Sequence, residues 1–338
     1  MPALKDPHTA DRRVLVTGAA GFVGRHLCSA LLREGGAGRI IAAGRRPAPE
    51  DFPPEDFPDV EWVDYDLFEP EAVGAMIRAV RPSAVVHLAA IAVPAEARSN
   101  PRAAWRANFE AVLELGQAIA EHAPSARLIF AGSAEAYGMS FNNVPLPISE
   151  DAPLRPATVY GATKAAAETA LVQMAHDGLD AVVFRAFNHT GPGQAPDYVV
   201  SAFCGQVAEI LAGKRAPRIS VGNLSAERDF LDVRDVVQAY VKAIKKDVFS
   251  ADERILNIAS GKAIKIEALL EKILSAANMD ISVDVDPARL RPNELPTACG
   301  SPERAARALG WEAAIPLDKT IRDLLDWRLA ALSSGRGG

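Results

Sequence analysis

The chain has 338 residues, 49% hydrophobic and 24% charged, with a formal net charge of −6. That composition suits one or two globular domains with a sizeable core, and the mild acidity argues against a general polyanion binder. Three scattered cysteines, Cys28, Cys204 and Cys299, supply neither a zinc spacing nor a disulfide framework, so no metal site is expected.

The opening stretch, MPALKDPHTADRR, is polar and lacks the apolar region of a signal peptide. No apolar run approaches the ~20 residues of a membrane span, and a cytoplasmic location is the expectation. Short apolar runs then alternate with amphipathic segments. RVLVTG (13–18), RIIAAG (39–44), AVVHLAA (84–90), RLIFAGS (127–133) and AVVFRAF (181–187) read as strands. FVGRHLCSALLREG and AWRANFEAVLELGQAIAEHAP read as helices between them. Strands alternating with helices predict βαβ units, and continuous apolar runs predict strands covered on both faces. The Pro- and acid-rich segment at 45–60 reads as a surface loop. After about residue 190 the pattern breaks into Pro- and Gly-punctuated pieces. The expected fold is α/β: a Rossmann-like doubly wound parallel sheet with a smaller, interleaved C-terminal α/β lobe. Residues 11–187 would form mainly the nucleotide-binding domain and 188–330 mainly the substrate lobe, with some chain returning to the first.

The first strand ends in VLVTGAAGFVG, which sets Gly18, Gly21 and Gly24 between a strand and the helix opened by Phe22 and Val23. Glycines there permit a tight turn and close approach of backbone to a pyrophosphate, which the helix N-terminus stabilises. The second strand ends without the acid that would bind the ribose 2′-hydroxyl of NAD. Arg45 and Arg46 stand there instead, a pattern suited to a 2′-phosphate, so NADP(H) is the expected cofactor. Asp66 and Leu67, after a third strand, would meet the adenine. Leu88, Ala89 and Ala90 would lie beside pyrophosphate and ribose, and Asn108 is placed in the cofactor set. His87, at an apolar strand end, reads as structural.

Ser133 ends the strand RLIFAGS at the carboxyl edge of the sheet, where α/β enzymes bind ligands. In VYGATKAAAE, Tyr160 and Lys164 stand four residues apart and share a helical face. A serine to polarise a carbonyl, a tyrosine to move its proton and a lysine to lower the tyrosine's pKa form an oxidoreductase site, with Tyr160 and Lys164 also touching the cofactor.

With these motifs the chain resembles the extended short-chain dehydrogenases/reductases, in the nucleotide-sugar branch, from about residue 13 to 330. GSAEAYG, RAFNHTGPGQ, VGNLSAERDFLDVRDVVQAY and RLRPNELPTACGS are most similar to reductases of GDP-4-keto-6-deoxy sugars. The resemblance implies a GDP-sugar substrate, with Asn188 and Arg228 at its diphosphate, Val199 and Val200 flanking the nucleotide, and Arg291 and Glu294 at the ribose and guanine end. Planar guanidinium groups suit phosphate oxygens, and a carboxylate can accept the two guanine N–H protons that uracil lacks. It further implies that Glu135, in SAE, is the counterpart of the base of 4,6-dehydratases, although such reductases carry it too. A dehydratase therefore stays an alternative, as does a C4 epimerase, which would ordinarily keep an acid at the second strand. A non-catalytic NADP-binding scaffold is a third alternative, but it would be expected to have lost the tyrosine or lysine. His189 would support its loop. Apolar residues on more than one face of the helices near 101–121 and 158–176 (Trp105, Leu113, Leu115, Ile119; Ala165, Ala166, Leu171, Met174) predict a homodimer through a four-helix bundle.

Overall fold

The computed structural model describes residues 12–35, 37–44, 56–57, 59–289 and 295–333. Strand β1 (Arg13–Thr17) passes through the glycine loop into helix α1 (Phe22–Glu34), followed by β2 (Arg39–Gly44), β3 (Val60–Asp64), α2 (Pro70–Val80) and β4 (Ala84–His87). Next come α3 (Pro94–Ser99), α4 (Pro101–Trp105), a π-helical turn (Arg106–Glu110), α5 (Ala111–His122), β5 (Arg127–Ala131) and, after an irregular stretch, α6 (Val159–His176). The remainder runs β6 (Ala181–Ala186), β7 (Asn188–Thr190), α7 (Val199–Leu211), β8 (Arg218–Val221), β9 (Glu227–Asp232), α8 (Val233–Lys245) and β10 (Ile255–Ile258). It closes with β11 (Ala263–Lys265), α9 (Ile266–Ala277), β12 (Ser282–Val285), β13 (Thr297–Ala298), α10 (Glu303–Leu309) and α11 (Leu317–Ser333).

Seven parallel strands form one sheet in the order β10-β6-β5-β4-β1-β2-β3, the expected doubly wound α/β architecture. The order reverses between β1 and β4, and in such sheets the crevice beyond the carboxyl ends of those two strands receives ligands. Two smaller groupings lie outside it: β7, β9, β11 and β13 in one, β8 and β12 in the other.

Strand β1 illustrates why the sheet is covered twice. Successive side chains point to opposite faces. Val14 and Val16 pack with Leu27 and Leu31 of α1 and with Val237 and Tyr240 of α8. Leu15 packs on the other side with Val73 and Ile77 of α2, Leu115 and Ile119 of α5, and Leu171 of α6. All are essentially buried, and each such side chain stabilises the fold by about 1.5–3 kcal/mol. A third apolar cluster joins α7, α9 and α11 through Val207, Phe203, Leu269, Ile273, Ile321 and Leu324. Of the residues expected at a helix-bundle interface, Leu115, Ile119 and Leu171 instead serve the core of this chain, because α5 and α6 turn them toward the sheet. Trp105, at 37% exposure, remains outward. Among the described residues no helix is long and apolar enough to cross a membrane.

Candidate active site

The glycine loop is shaped by close backbone contact. Gly18 has φ +68°, and a Cβ there would lie 2.7 Å from the Ala89 nitrogen, so neither conformation nor space admits a larger residue. Gly24 enters the first turn of α1 where a Cβ would be 2.4 Å from the Gly18 carbonyl oxygen. Gly21 caps α1, and Arg25 N–H donates to its carbonyl at 3.0 Å, the first bond of the helix. The N–H groups of Phe22, Val23 and Gly24 consequently lack intrahelical partners, a disposition that can cradle a phosphate.

The neighbouring strand ends carry the floor of the crevice. Buried Thr17 shares a 2.8 Å hydrogen bond with His87 Nδ1, and burial pulls the His87 pKa down to about 3, leaving the ring neutral. His87 stacks on Phe130, as suits a structural residue. Leu88, Ala89 and Ala90 leave β4 half-buried beside Gly18. Exposed Asp66 accepts from Phe68 N–H at 2.9 Å, tightening the turn that also carries half-buried Leu67.

Asn108 departs from the expectation of a cofactor contact. Fully buried in the π-helical turn, its Oδ1 accepts from Ile91 N–H at 2.8 Å, while Nδ2 donates to the Ile91 carbonyl at 3.0 Å and to Thr163 Oγ1 at 3.1 Å. Both amide protons are thereby used on protein, so the residue fastens the loop after β4 to α6.

Ser133, Tyr160, Lys164 and Glu135 converge at the carboxyl edge of β5. Ser133 starts a single 3-10 turn, where its Oγ accepts from Glu135 N–H at 3.1 Å. Tyr160 lies in the first turn of α6. Burial pushes its phenol well above the usual range and the Glu135 carboxylate adds to that, whereas a hydrogen bond with Ser133 opposes both. Lys164 stands on the same face, its Nζ 5.9 Å from the Tyr160 ring centre, and burial pulls its pKa down to about 7. Desolvation is the largest influence on both groups, and the ammonium donates to the Ala131 carbonyl at 2.8 Å.

Thr158 is a contributor that the sequence reading missed. It caps α6 by accepting from Gly161 N–H at 3.0 Å and donates its own proton to Glu135 Oε2 at 2.8 Å. One hydroxyl thus ties the carboxylate to the helix carrying Tyr160. A threonine just before a helical apolar run is a legible N-cap signal, but its second partner is set by the fold.

At the far end, Asn188 is exposed on β7, which pairs with β9, and Arg228 is half-buried on β9 with Nη1 bonded to the Glu227 carbonyl at 2.8 Å. Val199 and Val200 open α7. The Val200 side chain is 1% exposed within the third apolar cluster, so it is the backbone N–H groups at this helix start, not both side chains, that can face a ligand. His189 bonds through Nδ1 to the Phe187 carbonyl at 2.9 Å and stacks on Phe22, supporting the loop. Arg45, Arg46, Arg291 and Glu294 lie outside the described residues.

Residues 15–324 match the family described as GDP-mannose 4,6 dehydratase. The GDP-6-deoxy-D-mannose reductase of Pseudomonas aeruginosa is 31% identical over 318 residues, spanning 94% of this chain and 97% of that protein. The UDP-glucose 4-epimerase of Bacillus subtilis is 25% identical over 332 residues, covering 93% and 96%. Among solved structures, RMD from Pseudomonas aeruginosa complexed with NADPH is similar with a TM-score of 0.79 at 29% identity, covering 94% and 99% of the two chains. The Thermus thermophilus UDP-glucose 4-epimerase complexed with NAD gives 0.79 at 28% identity over the same shares.

Proposed function

The chain belongs to the GDP-mannose 4,6 dehydratase family of extended short-chain dehydrogenases/reductases, and on that premise we propose that it reduces the C4 ketone of GDP-4-keto-6-deoxy-D-mannose with NADPH, yielding GDP-D-rhamnose. The observation that carries this reading is the convergence of Ser133, Tyr160 and Lys164 at the carboxyl edge of β5, with the buried Lys164 ammonium 5.9 Å from the Tyr160 ring centre. A nicotinamide dinucleotide fits the glycine loop, whose crowded Gly18 and Gly24 leave backbone, not side chain, toward the crevice. When bound, the reduced cofactor supplies the hydride. Arg45 and Arg46 are proposed to favour NADP(H) over NAD(H).

Ser133 and Tyr160 hold the ketone oxygen. Negative charge grows there during reduction, and donors already aimed at that oxygen stabilise the transition state more than the ground state. Tyr160 then gives up its proton, and the Lys164 ammonium stabilises the phenolate left behind. Asn188, Arg228 and the start of α7 would receive the diphosphate. Arg291 and Glu294 are assigned the ribose and guanine. The protein is proposed to work in the cytoplasm as a homodimer, with Trp105, Leu113, Ala166 and Met174 at the helix face.

A second reading is favoured by Glu135. Its carboxylate, tethered by Thr158 near Tyr160, would serve as the base that a 4,6-dehydratase requires. A non-catalytic scaffold is disfavoured by the intact Ser133, Tyr160 and Lys164. Two incubations separate the readings, the first with GDP-4-keto-6-deoxy-D-mannose and NADPH, with NMR of the product, and the second with GDP-mannose alone. Oxidation of NADPH and formation of GDP-rhamnose is the expected result. Tyr160→Phe should lower kcat by roughly 10²–10⁴-fold, the scale of a lost general acid. Conversion of GDP-mannose to the 4-keto sugar without added NADPH would instead identify a dehydratase.

A further inference from the structure

Tyr160, Lys164 and Glu168 fall at i, i+4 and i+8 on one face of α6. The proposed chemistry uses only the first two. Glu168 is 3% exposed, and so is Arg185 of β6, which grips its carboxylate with two donors: Nε to Oε2 at 2.9 Å and Nη2 to Oε1. The other arm of the same guanidinium, Nη1, donates to Tyr137 Oη at 2.7 Å and to the Glu150 carbonyl at 2.9 Å. Tyr137 closes the 3-10 turn that Ser133 opens and Glu135 occupies. Its hydroxyl donates a hydrogen bond to Asn257 Oδ1 of β10 at 2.7 Å, anchoring the group in the main sheet.

Two catalytic segments distant in sequence therefore meet at one guanidinium. One arm holds the helix of Tyr160 and Lys164; the other holds the turn of Ser133 and Glu135. Desolvation of a buried ion pair offsets most of its Coulombic gain, so net stability is a poor reason for it. A planar fork with fixed donor directions does specify where its partners sit.

We propose that Arg185 is a positioning residue that sets the Ser133–Tyr160 geometry by holding Glu168 and Tyr137 at once. The proposal rests on the Ser133/Tyr160 reading of the site. Arg185→Met combined with Glu168→Leu removes both charges and leaves neither buried alone, a replacement that commonly keeps or raises stability. The expected result is a folded protein with an unchanged KM for NADPH and a kcat reduced about 10- to 100-fold, the scale of an ångström-level misplacement. A kcat within about twofold of wild type overturns the proposal. Should the double variant not fold, Tyr137→Phe removes the link from the guanidinium to the turn, together with the bond to Asn257, and leaves the Arg185–Glu168 pair in place; kcat should still fall by about threefold or more. Amide hydrogen exchange, which needs no substrate, should quicken in the Ser133–Tyr137 turn and the first two turns of α6, but not in β1 or β4. Unchanged exchange there overturns the proposal as well. Inactivity of wild-type protein toward the GDP-keto sugar would count against the proposed substrate, and the exchange measurement would then decide this inference alone.

Discussion

Gly161→Ala should separate activity from stability in a way that depends on one contact. Gly161 lies in the first turn of α6, directly after Tyr160, and a Cβ added there would sit 2.5 Å from the Glu135 carbonyl oxygen and 3.0 Å from its carbonyl carbon. Even favourable C–H···O contacts keep carbon and oxygen about 3.3–3.6 Å apart, so about 0.8–1.1 Å must be recovered. The obstacle is backbone. No flexible side chain can swing away, so either the turn carrying Ser133 and Glu135 retreats or the start of α6 does. Either movement changes the distance between Ser133 and Tyr160. An ångström of misplacement costs about 100-fold in rate, equivalent to about 2.7 kcal/mol of transition-state stabilisation. Stability responds less. Crowding costs about 1–3 kcal/mol, offset by about 1 kcal/mol from replacing a helical glycine with alanine. The assay is the loss of NADPH absorbance with the GDP-keto sugar, run beside thermal melts. A folded variant that keeps kcat within about threefold of wild type would refute the reasoning, since the turn and helix could not then be in the contact described.

Three further outcomes are expected. The Lys164 pKa, pulled down to about 7 by burial, places loss of its proton inside the working range; the neutral amine cannot stabilise a phenolate, so kcat for reduction should hold below about pH 7 and decline above it, and a rate rising through pH 8 would contradict this. Asn108→Ala strips partners from the Ile91 N–H and carbonyl, and urea denaturation should register a loss of about 1–3 kcal/mol; a loss under about 0.5 kcal/mol would mean the loop after β4 is held otherwise. Replacing Arg45 and Arg46 together with alanine should weaken NADPH binding in calorimetry and leave NADH nearly untouched, and equal losses would sink the assignment.

Much of this protein was readable in its linear sequence, because the signals were local. The run VLVTGAAGFVG combines a buried strand, a turn and a helix start within eleven residues, and continuous apolar strands announced a sheet covered on both sides. The i, i+4 spacing sets Tyr160 and Lys164 on one face, because helix geometry alone requires it. What only the tertiary structure decided depends on segments far apart in the chain. The sequence could not say that β10, at residues 255–258, pairs with β6 as the seventh strand of the sheet. It set Asn108 toward the cofactor, whereas the fold uses its amide across 17 and 55 residues. It read Leu115, Ile119 and Leu171 as surplus apolar surface, but packing of α5 and α6 on the sheet consumes them. How strongly burial acts on Tyr160 and Lys164 was likewise hidden from the sequence. Proximity of a cation can be inferred from spacing, whereas burial is a property of everything packed around the pair, and desolvation is the largest influence on both groups.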